Sequence, residues 1–185
     1  MTRLELSWAD LPYIEDYIRA FPNLQSLTSL ECTGFADELE WYERRDIAMA
    51  HQAQHGTWQS MHHYQGSLLT LWIWGLTCRI PSVRLGFDQR LGVDPNFLND
   101  IILDVRPLDL SLRLPGASPL LDDAVLSVLC EEDRLQGLEL CLLFHINEND
   151  GTVSVGHILV SLGFWCAFKL AISLTCPSAT VGFDH

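Results

Sequence analysis

Four of the seven histidines lie within thirteen positions, at His51, His55, His62 and His63. Two histidines four residues apart share one face of a helix, and imidazole nitrogens are common zinc ligands. The hydrolytic motif H-E-x-x-H needs a glutamate as general base, but Gln52 follows the first histidine here. We therefore interpret the cluster as a solvated surface. The alternative is a small α/β enzyme or a metal-binding protein that uses these four histidines.

Cysteine is the second reactive residue type, with six copies at Cys32, Cys78, Cys130, Cys141, Cys166 and Cys176. None forms a C-x-x-C pair, and the N-terminus lacks the basic-then-apolar pattern of a signal peptide. These features predict free, buried thiols and an intracellular protein, cytoplasmic or nuclear. Dinucleotide-binding, P-loop and nucleophile-elbow motifs are absent from the sequence, and no Cys–His pair is singled out by its spacing. We predict a non-enzymatic protein with no catalytic residues, no bound metal and no cofactor.

The net charge and one long apolar run limit the classes of partner that we expect. The 185 residues carry a formal net charge of −13, and a surface this acidic repels phosphate backbones, so we expect no nucleic-acid partner. Residues 158–176 form an apolar run near the length that a bilayer requires. Lys169 at its centre and the lack of basic flanks favour a buried strand with a C-terminal cover. A membrane-associated protein anchored through residues 158–176 is a further alternative.

A recurring leucine pattern indicates how the chain is organised. The spacing L-x-x-L-x-L, with apolar substitutes and with Ser29 at the last position of the first match, starts at Leu24, Ile80, Val105, Leu135 and Leu159, which gives gaps of 56, 25, 30 and 24 residues. Leucine-rich repeats have periods of about 20–29 residues, and 56 is twice 28. The pattern predicts an α/β fold, namely a short leucine-rich-repeat-like solenoid with parallel strands on its concave side and helices on its convex side.

Of the segments outside these matches, some have apolar residues at helical spacing and others interrupt the repeat period. Four are predicted to be helices: "WADLPYIEDYIRAFP", "LLTLWIWGL", "PNFLNDIILDVRP" and "SPLLDDAVLSVLCEEDR". Residues 33–66 contain no strand match near position 52, where one is due, and we expect an irregular insertion of charged loop or helix, followed by a helix that opens around Trp58. Residues 165–185 form an atypical tail. We predict that residues 1–185 form a single domain.

The predicted strands define a candidate binding surface. Strand side chains alternate between core and open side, so the polar residues between the leucines should share the concave face. The candidates are Ser26, Thr28, Arg84, Asp109, Ser111 and Glu139. This face suits the docking of an unidentified protein, which is the usual role of a solenoid's concave side. The alternative is a solvated face in which Arg84 and Asp109 form a weak ion pair.

Three stretches resemble the repeat regions of fungal (basidiomycete) F-box and leucine-rich-repeat proteins. They are "LPYIEDYIRAFPNLQSLTSLEC", "GTWQSMHHYQGSLLTLWIWGLTCRIPSVRLGF" and "DVRPLDLSLRLPG", and the likeness covers roughly residues 8 to 145. The resemblance implies the substrate-recognition arm of a ubiquitin ligase adaptor, in which an F-box binds a Skp1-type partner. It carries over no catalytic residue, because such adaptors have none of their own.

The sequence departs from the full pattern of that family at both ends. Before Trp8 there is no room for an F-box, so we expect either a fragment of a longer F-box protein or a protein that binds without a ligase link. A Skp1-type adaptor is expected only if an F-box lies outside this chain. After Phe164 the period does not continue cleanly.

Overall fold

The computed structural model describes residues 1–7, 13–30, 38–86, 95–115, 135–143 and 170–175. Strands and helices alternate within the first five strands. In chain order the elements are β1 (Arg3–Ser7), α1 (Ile14–Ala20), β2 (Ser26–Leu30), α2 (Glu38–His55), β3 (His63–Ser67), α3 (Leu68–Trp74), β4 (Ser82–Gly86), α4 (Pro95–Val105), β5 (Asp109–Pro115), β6 (Gly137–Leu143) and β7 (Leu170–Thr175).

The strands form one seven-stranded sheet in the order of the sequence, from β1 to β7. Every neighbouring pair is parallel. Consecutive parallel strands need a return connection, and a helix supplies it in each of the first four connections. The prediction of an α/β fold with a parallel sheet is therefore confirmed.

One face of the sheet is the core. The strand register places Leu27, Tyr64, Val83 and Leu110 in one row across four neighbouring strands, and each is at most 1% exposed. Successive strand residues point to opposite faces, so the residues between them lie on the other side of the sheet. There Arg84, one position after Val83, is exposed.

The helices cover this apolar side in a layer in which α2 packs against α3 and α3 against α4. All seven residues of α3 are buried. The indole of Trp72 stacks on Phe97 of α4 with ring centroids 4.0 Å apart, and Tyr42 of α2 meets it edge-on at 5.0 Å. The buried Arg45 of α2 donates to the Trp72 carbonyl and forms an ion pair with Asp104 of α4. These contacts join three consecutive helices.

Both ends of α3 are capped by side chains or a glycine. The Ser67 hydroxyl accepts from the Thr70 N–H at 3.0 Å, which satisfies one of the unpaired donors at the helix start. Gly75 ends the helix in the left-handed region, with φ of 49°. The buried amide nitrogen of Gln52 donates to the carbonyls of Trp74 and Gly75 at 3.1 and 3.0 Å, so α2 holds the end of α3.

The helix predictions inside the described ranges are correct, because α1, α3 and α4 lie within the predicted segments. Residues 33–66, predicted as an irregular insertion of charged loop or helix, contain α2 and the first residues of β3. The predicted helix opening around Trp58 is wrong: that residue lies between α2 and β3, where the indole donates to the Phe21 carbonyl at 2.8 Å. The helix predicted in "SPLLDDAVLSVLCEEDR" lies outside the described residues.

The strand predictions need two corrections. The pattern from Val105 is two residues early, because α4 continues to Val105 and β5 begins at Asp109. β1 was not predicted, and β3 was missed because it has Tyr64 and Gly66 where the pattern expects leucines. The neighbour of β6 is β7, whereas the strand predicted from Leu159 falls on residues that the structure does not describe.

Candidate binding face on the parallel sheet

All six predicted binding residues lie on the side of the sheet opposite the core, called here the outer face. Across β2 to β6, the strand register arranges the six candidates and the residues aligned with them in two adjacent rows. The first contains Ser26, His63, Ser82, Asp109 and Gly137, and the second contains Thr28, Gln65, Arg84, Ser111 and Glu139.

The six candidates differ in access to solvent. Arg84, Asp109 and Glu139 are exposed, and Ser26 and Ser111 are half-buried. Thr28 is only 6% exposed, so its hydroxyl offers little surface to a partner. The exposed charges therefore lie on β4, β5 and β6 rather than on β2.

A shallow depression of about 220 Å³ lies on the outer face across β4, β5 and β6. Its outward-pointing residues are Ser82, Arg84, Asp109, Ser111, Gly137 and Glu139. The structure thus brings four of the six predicted residues into one concavity. Ser26 and Thr28 are on β2, two strands away from Arg84, and do not line it.

Gly137 determines where the Asp109 carboxylate lies. The two residues are partners across β5 and β6, and a Cβ atom on Gly137 would be 2.5 Å from Oδ1 of Asp109. The missing side chain therefore leaves room for the carboxylate over the backbone of β6. As a result, the Asp109 carboxylate lies on the β6 side of the depression, the side to which Glu139 of β6 also belongs.

The predicted ion pair between Arg84 and Asp109 does not form. The register opposes Arg84 to Ser111, so Asp109 is only its diagonal neighbour, and the Asp109 carboxylate leans toward Gly137 on β6. Within the described ranges, the ion pairs join Arg19 to Asp16, Arg44 to Glu40 and Arg45 to Asp104. The three charges of the depression are left for solvent or a partner.

His63, which the sequence suggested only as a member of the histidine cluster, lies on the outer face because it belongs to β3, a strand that was not predicted. Its Nδ1 lies 3.2 Å from the Ser82 hydroxyl. Partial burial lowers the pKa of His63 below its ordinary value, and the nearby positive charges of Arg84 and Arg3 lower it further. The imidazole is therefore predominantly neutral at pH 7 and adds no positive charge beside the depression.

The structure separates the histidine cluster. His51 and His55 stack on α2 with ring centroids 4.3 Å apart, whereas His63 points to the outer face from β3. In the part of the chain that the structure describes, no three or more His, Cys, Asp or Glu side chains are grouped to hold a metal. The alternative of a site formed by all four histidines gains no support from this arrangement.

Two cysteines in the described ranges, Cys78 and Cys141, are free thiols. Burial raises the pKa of Cys78 to about 11. A thiol with this pKa is protonated at neutral pH and is a poor nucleophile.

The apolar run at residues 158–176 includes β7. Residues 170–175 are paired with β6 as a parallel strand, whereas residues 158–169 and 176 are outside the described ranges. Of the helices that the structure describes, none has the length and apolar character needed to cross a membrane.

The chain matches no model of a known protein family, and a search of curated proteins returned no match.

Proposed function

We propose that this protein is a non-enzymatic protein-binding module and that a partner docks on the outer face. The observation that carries the proposal is the depression on β4, β5 and β6, where three exposed charges surround a floor of small residues. The charges of Arg84, Asp109 and Glu139 form no ion pair with one another. A surface of this kind gains pairing energy when a complementary partner binds.

The more specific fold that we propose is a leucine-rich-repeat-like solenoid with the outer face on its concave side. The strand register aligns Leu4, Leu27, Tyr64, Val83, Leu110, Leu138 and Leu170, which are separated by 23, 37, 19, 27, 28 and 32 residues. Most of these spacings are close to those of leucine-rich repeats. The interval of 37 residues accommodates the eighteen-residue helix α2. Sequential parallel strands with helical returns also support this proposal.

Within this class, we propose the substrate-recognition repeat region of an F-box-type ubiquitin ligase adaptor. The support is the resemblance to fungal F-box and leucine-rich-repeat proteins together with the strand order. In this assignment the outer face binds the substrate protein, and a Skp1-type adaptor is a partner only if an F-box lies outside this chain. The free thiols of Cys78 and Cys141 are consistent with our proposal of an intracellular protein.

The test is affinity capture with the full chain as bait, followed by quantitative mass spectrometry. Three baits are compared: the unaltered chain, Arg84→Glu on the outer face, and Arg19→Glu as a control. The Arg19 pair with Asp16 is exposed on α1, so the control makes the same charge change outside the outer face. A captured protein is then purified and its affinity for each bait is measured directly.

The proposal expects one partner that binds the unaltered chain and the control equally but binds Arg84→Glu several-fold more weakly. Purified partners that bind all three chains with equal affinity would contradict docking on the outer face. If the chain chemically changed a captured protein, that result would contradict the non-enzymatic assignment.

A further inference from the structure

We infer that the depression on β4, β5 and β6 selects an extended partner segment with one acidic and one basic side chain three positions apart. The acidic side chain pairs with Arg84, and the basic side chain pairs with Asp109 and Glu139. This inference rests on the proposed function, because it specifies which chemistry the outer face recognises.

The charges that line the depression favour a ligand with both signs over simpler ligands. Its walls carry one positive charge, Arg84, and two negative charges, Asp109 and Glu139. A phosphate or a purely acidic segment meets two carboxylates, whereas a purely basic segment meets the guanidinium. A segment with both signs is the complementary one. The formal net charge of −13 attracts partners whose remaining surface is basic.

The strand geometry sets the spacing of the two partner charges. Arg84 and Glu139 lie in the same row with one strand between them, and neighbouring strands are about 4.8 Å apart, so their backbones are about 10 Å apart. Asp109 belongs to the intervening strand, but its carboxylate lies over Gly137 on β6. The positive and negative sides of the depression are therefore separated by nearly the full two-strand distance.

A polyproline II conformation matches this distance better than a β-strand does. It has three residues per turn and a rise of about 3.1 Å, so residues i and i+3 point to the same side about 9 Å apart. In a β-strand the residues on one side are i and i+2, about 7 Å apart, or i and i+4, about 13 Å apart. The backbones of β4, β5 and β6 are already paired within the sheet, so the segment binds through its side chains.

The probe is a synthetic peptide, acetyl-Pro-Pro-Asp-Pro-Pro-Lys-Pro-Pro-amide, titrated into the ¹⁵N-labelled full chain and followed by NMR. Two control peptides are used. Acetyl-Pro-Pro-Pro-Asp-Lys-Pro-Pro-Pro-amide has the same composition with the charges adjacent, and the third peptide has Asn and Gln in place of Asp and Lys. The inference expects amide shifts confined to β4, β5 and β6, and the tightest binding for the first peptide.

Variants of the chain identify the charges responsible. Arg84→Gln and Glu139→Gln are each expected to raise Kd about two- to fivefold, the range for one exposed ion pair. Gly137→Ala keeps every charge but displaces the Asp109 carboxylate, and should raise Kd by a similar factor. Arg19→Gln is the matched control on α1 and should leave Kd unchanged.

Reversing the charge of Arg84, together with the matching charge of the peptide, gives an independent test of the inference. Arg84→Glu should lose the Asp/Lys peptide and gain a peptide with Lys at both positions. Equal binding of all three original peptides, or no shifts at several millimolar peptide, would overturn the inference. If a captured partner still depends on Arg84 while the peptides fail, the proposed function stands and only the charge spacing is wrong. If both fail, docking on the outer face is wrong as well.

Discussion

The sharpest stability prediction concerns Arg45, which joins three helices through one buried guanidinium. The residue is 8% exposed, forms an ion pair with Asp104 of α4, and donates to the Trp72 carbonyl at the end of α3. Its guanidinium carbon also lies 4.8 Å from the centroid of the Trp72 ring. Arg45→Ala removes all three contacts and leaves the Asp104 carboxylate without its cation.

The cost follows from the desolvation of the remaining charge. Removing one partner of a buried ion pair destabilises a protein by about 3–5 kcal/mol. The Asp104 side chain is 22% exposed, so water reaches it and the lower end, about 3 kcal/mol, applies. Each kcal/mol lowers Tm by about 2–4 °C in a chain of this size, which gives a decrease of about 6–12 °C. This is a large part of a typical unfolding free energy of about 5–15 kcal/mol.

Urea unfolding followed by tryptophan fluorescence and circular dichroism measures the effect. The double variant Arg45→Met/Asp104→Leu removes both charges and should recover most of the lost free energy, because no buried charge remains unpaired. Arg19→Ala is the control: its pair with Asp16 has side chains 73% and 68% exposed, and the change should be within about 0.5 kcal/mol. A cost below about 1 kcal/mol for Arg45→Ala, or a double variant as unstable as the single one, would refute this reasoning.

Four further predictions concern the sheet and its supports. Gly66→Ala should lower the free energy of unfolding in urea by about 1–3 kcal/mol, because the added Cβ would lie 2.7 Å from a backbone oxygen of β2. Gly86→Ala is the control and should be nearly neutral, because the nearest atom to its Cβ would be 3.9 Å away. Gln52→Leu should cost about 2–3 kcal/mol by the same assay, since two carbonyls at the end of α3 lose their buried donor; an unchanged midpoint would contradict this role. Arg84→Gln should raise the pKa of His63 in an NMR titration toward its ordinary value of 6.5 without reaching it, because burial, the larger cause, persists. Because the pKa of His63 is lowered in the folded state, the unfolded chain takes up the proton at a higher pH than the folded chain does. His63 therefore reduces stability as pH falls below 6.5, and His63→Gln should remove that part of the acid-side loss of stability.

The helices were predictable because their apolar residues recur at helical spacing. In α4, Phe97, Leu98, Ile101 and Ile102 are all buried, and they form the stripe that the sequence shows. The strands were harder, because a leucine pattern that follows a helix can begin in the wrong register. Val105 matched the first leucine of the template but is the last residue of α4, and this error placed Asp109 opposite Arg84.

β3 was missed because its core positions are not leucines. The Tyr64 hydroxyl lies 2.7 Å from the Ser29 hydroxyl of β2, a buried polar contact in place of two apolar side chains. Gly66 permits it, because a Cβ there would meet both hydroxyls. Such a contact involves two strands that are 35 residues apart in sequence, so no local pattern of either strand reveals it. The position of His63 on the outer face could not be predicted for the same reason.

The position of the depression depends on the register between strands, which the sequence shows only in part. Period-two alternation correctly placed all six candidates on one face, because it is a property of each strand alone. Which candidates lie together depends on the register between strands and on Gly137, whose missing side chain admits the Asp109 carboxylate. A glycine opposite an acidic residue is a visible signal once the register is known.

The same alternation separates the residues that determine stability from those that we propose determine binding. Val83 is fully buried, whereas Arg84, the next residue, is exposed on the opposite face. A charge change at Arg84 therefore alters the surface of β4 without opening a cavity in the core, where replacing a large apolar side chain by alanine costs about 2–5 kcal/mol. Exposed substitutions away from buried contacts usually change stability by less than about 0.5 kcal/mol. A loss of binding in Arg84→Glu with an unchanged unfolding midpoint would thus report on the outer face itself.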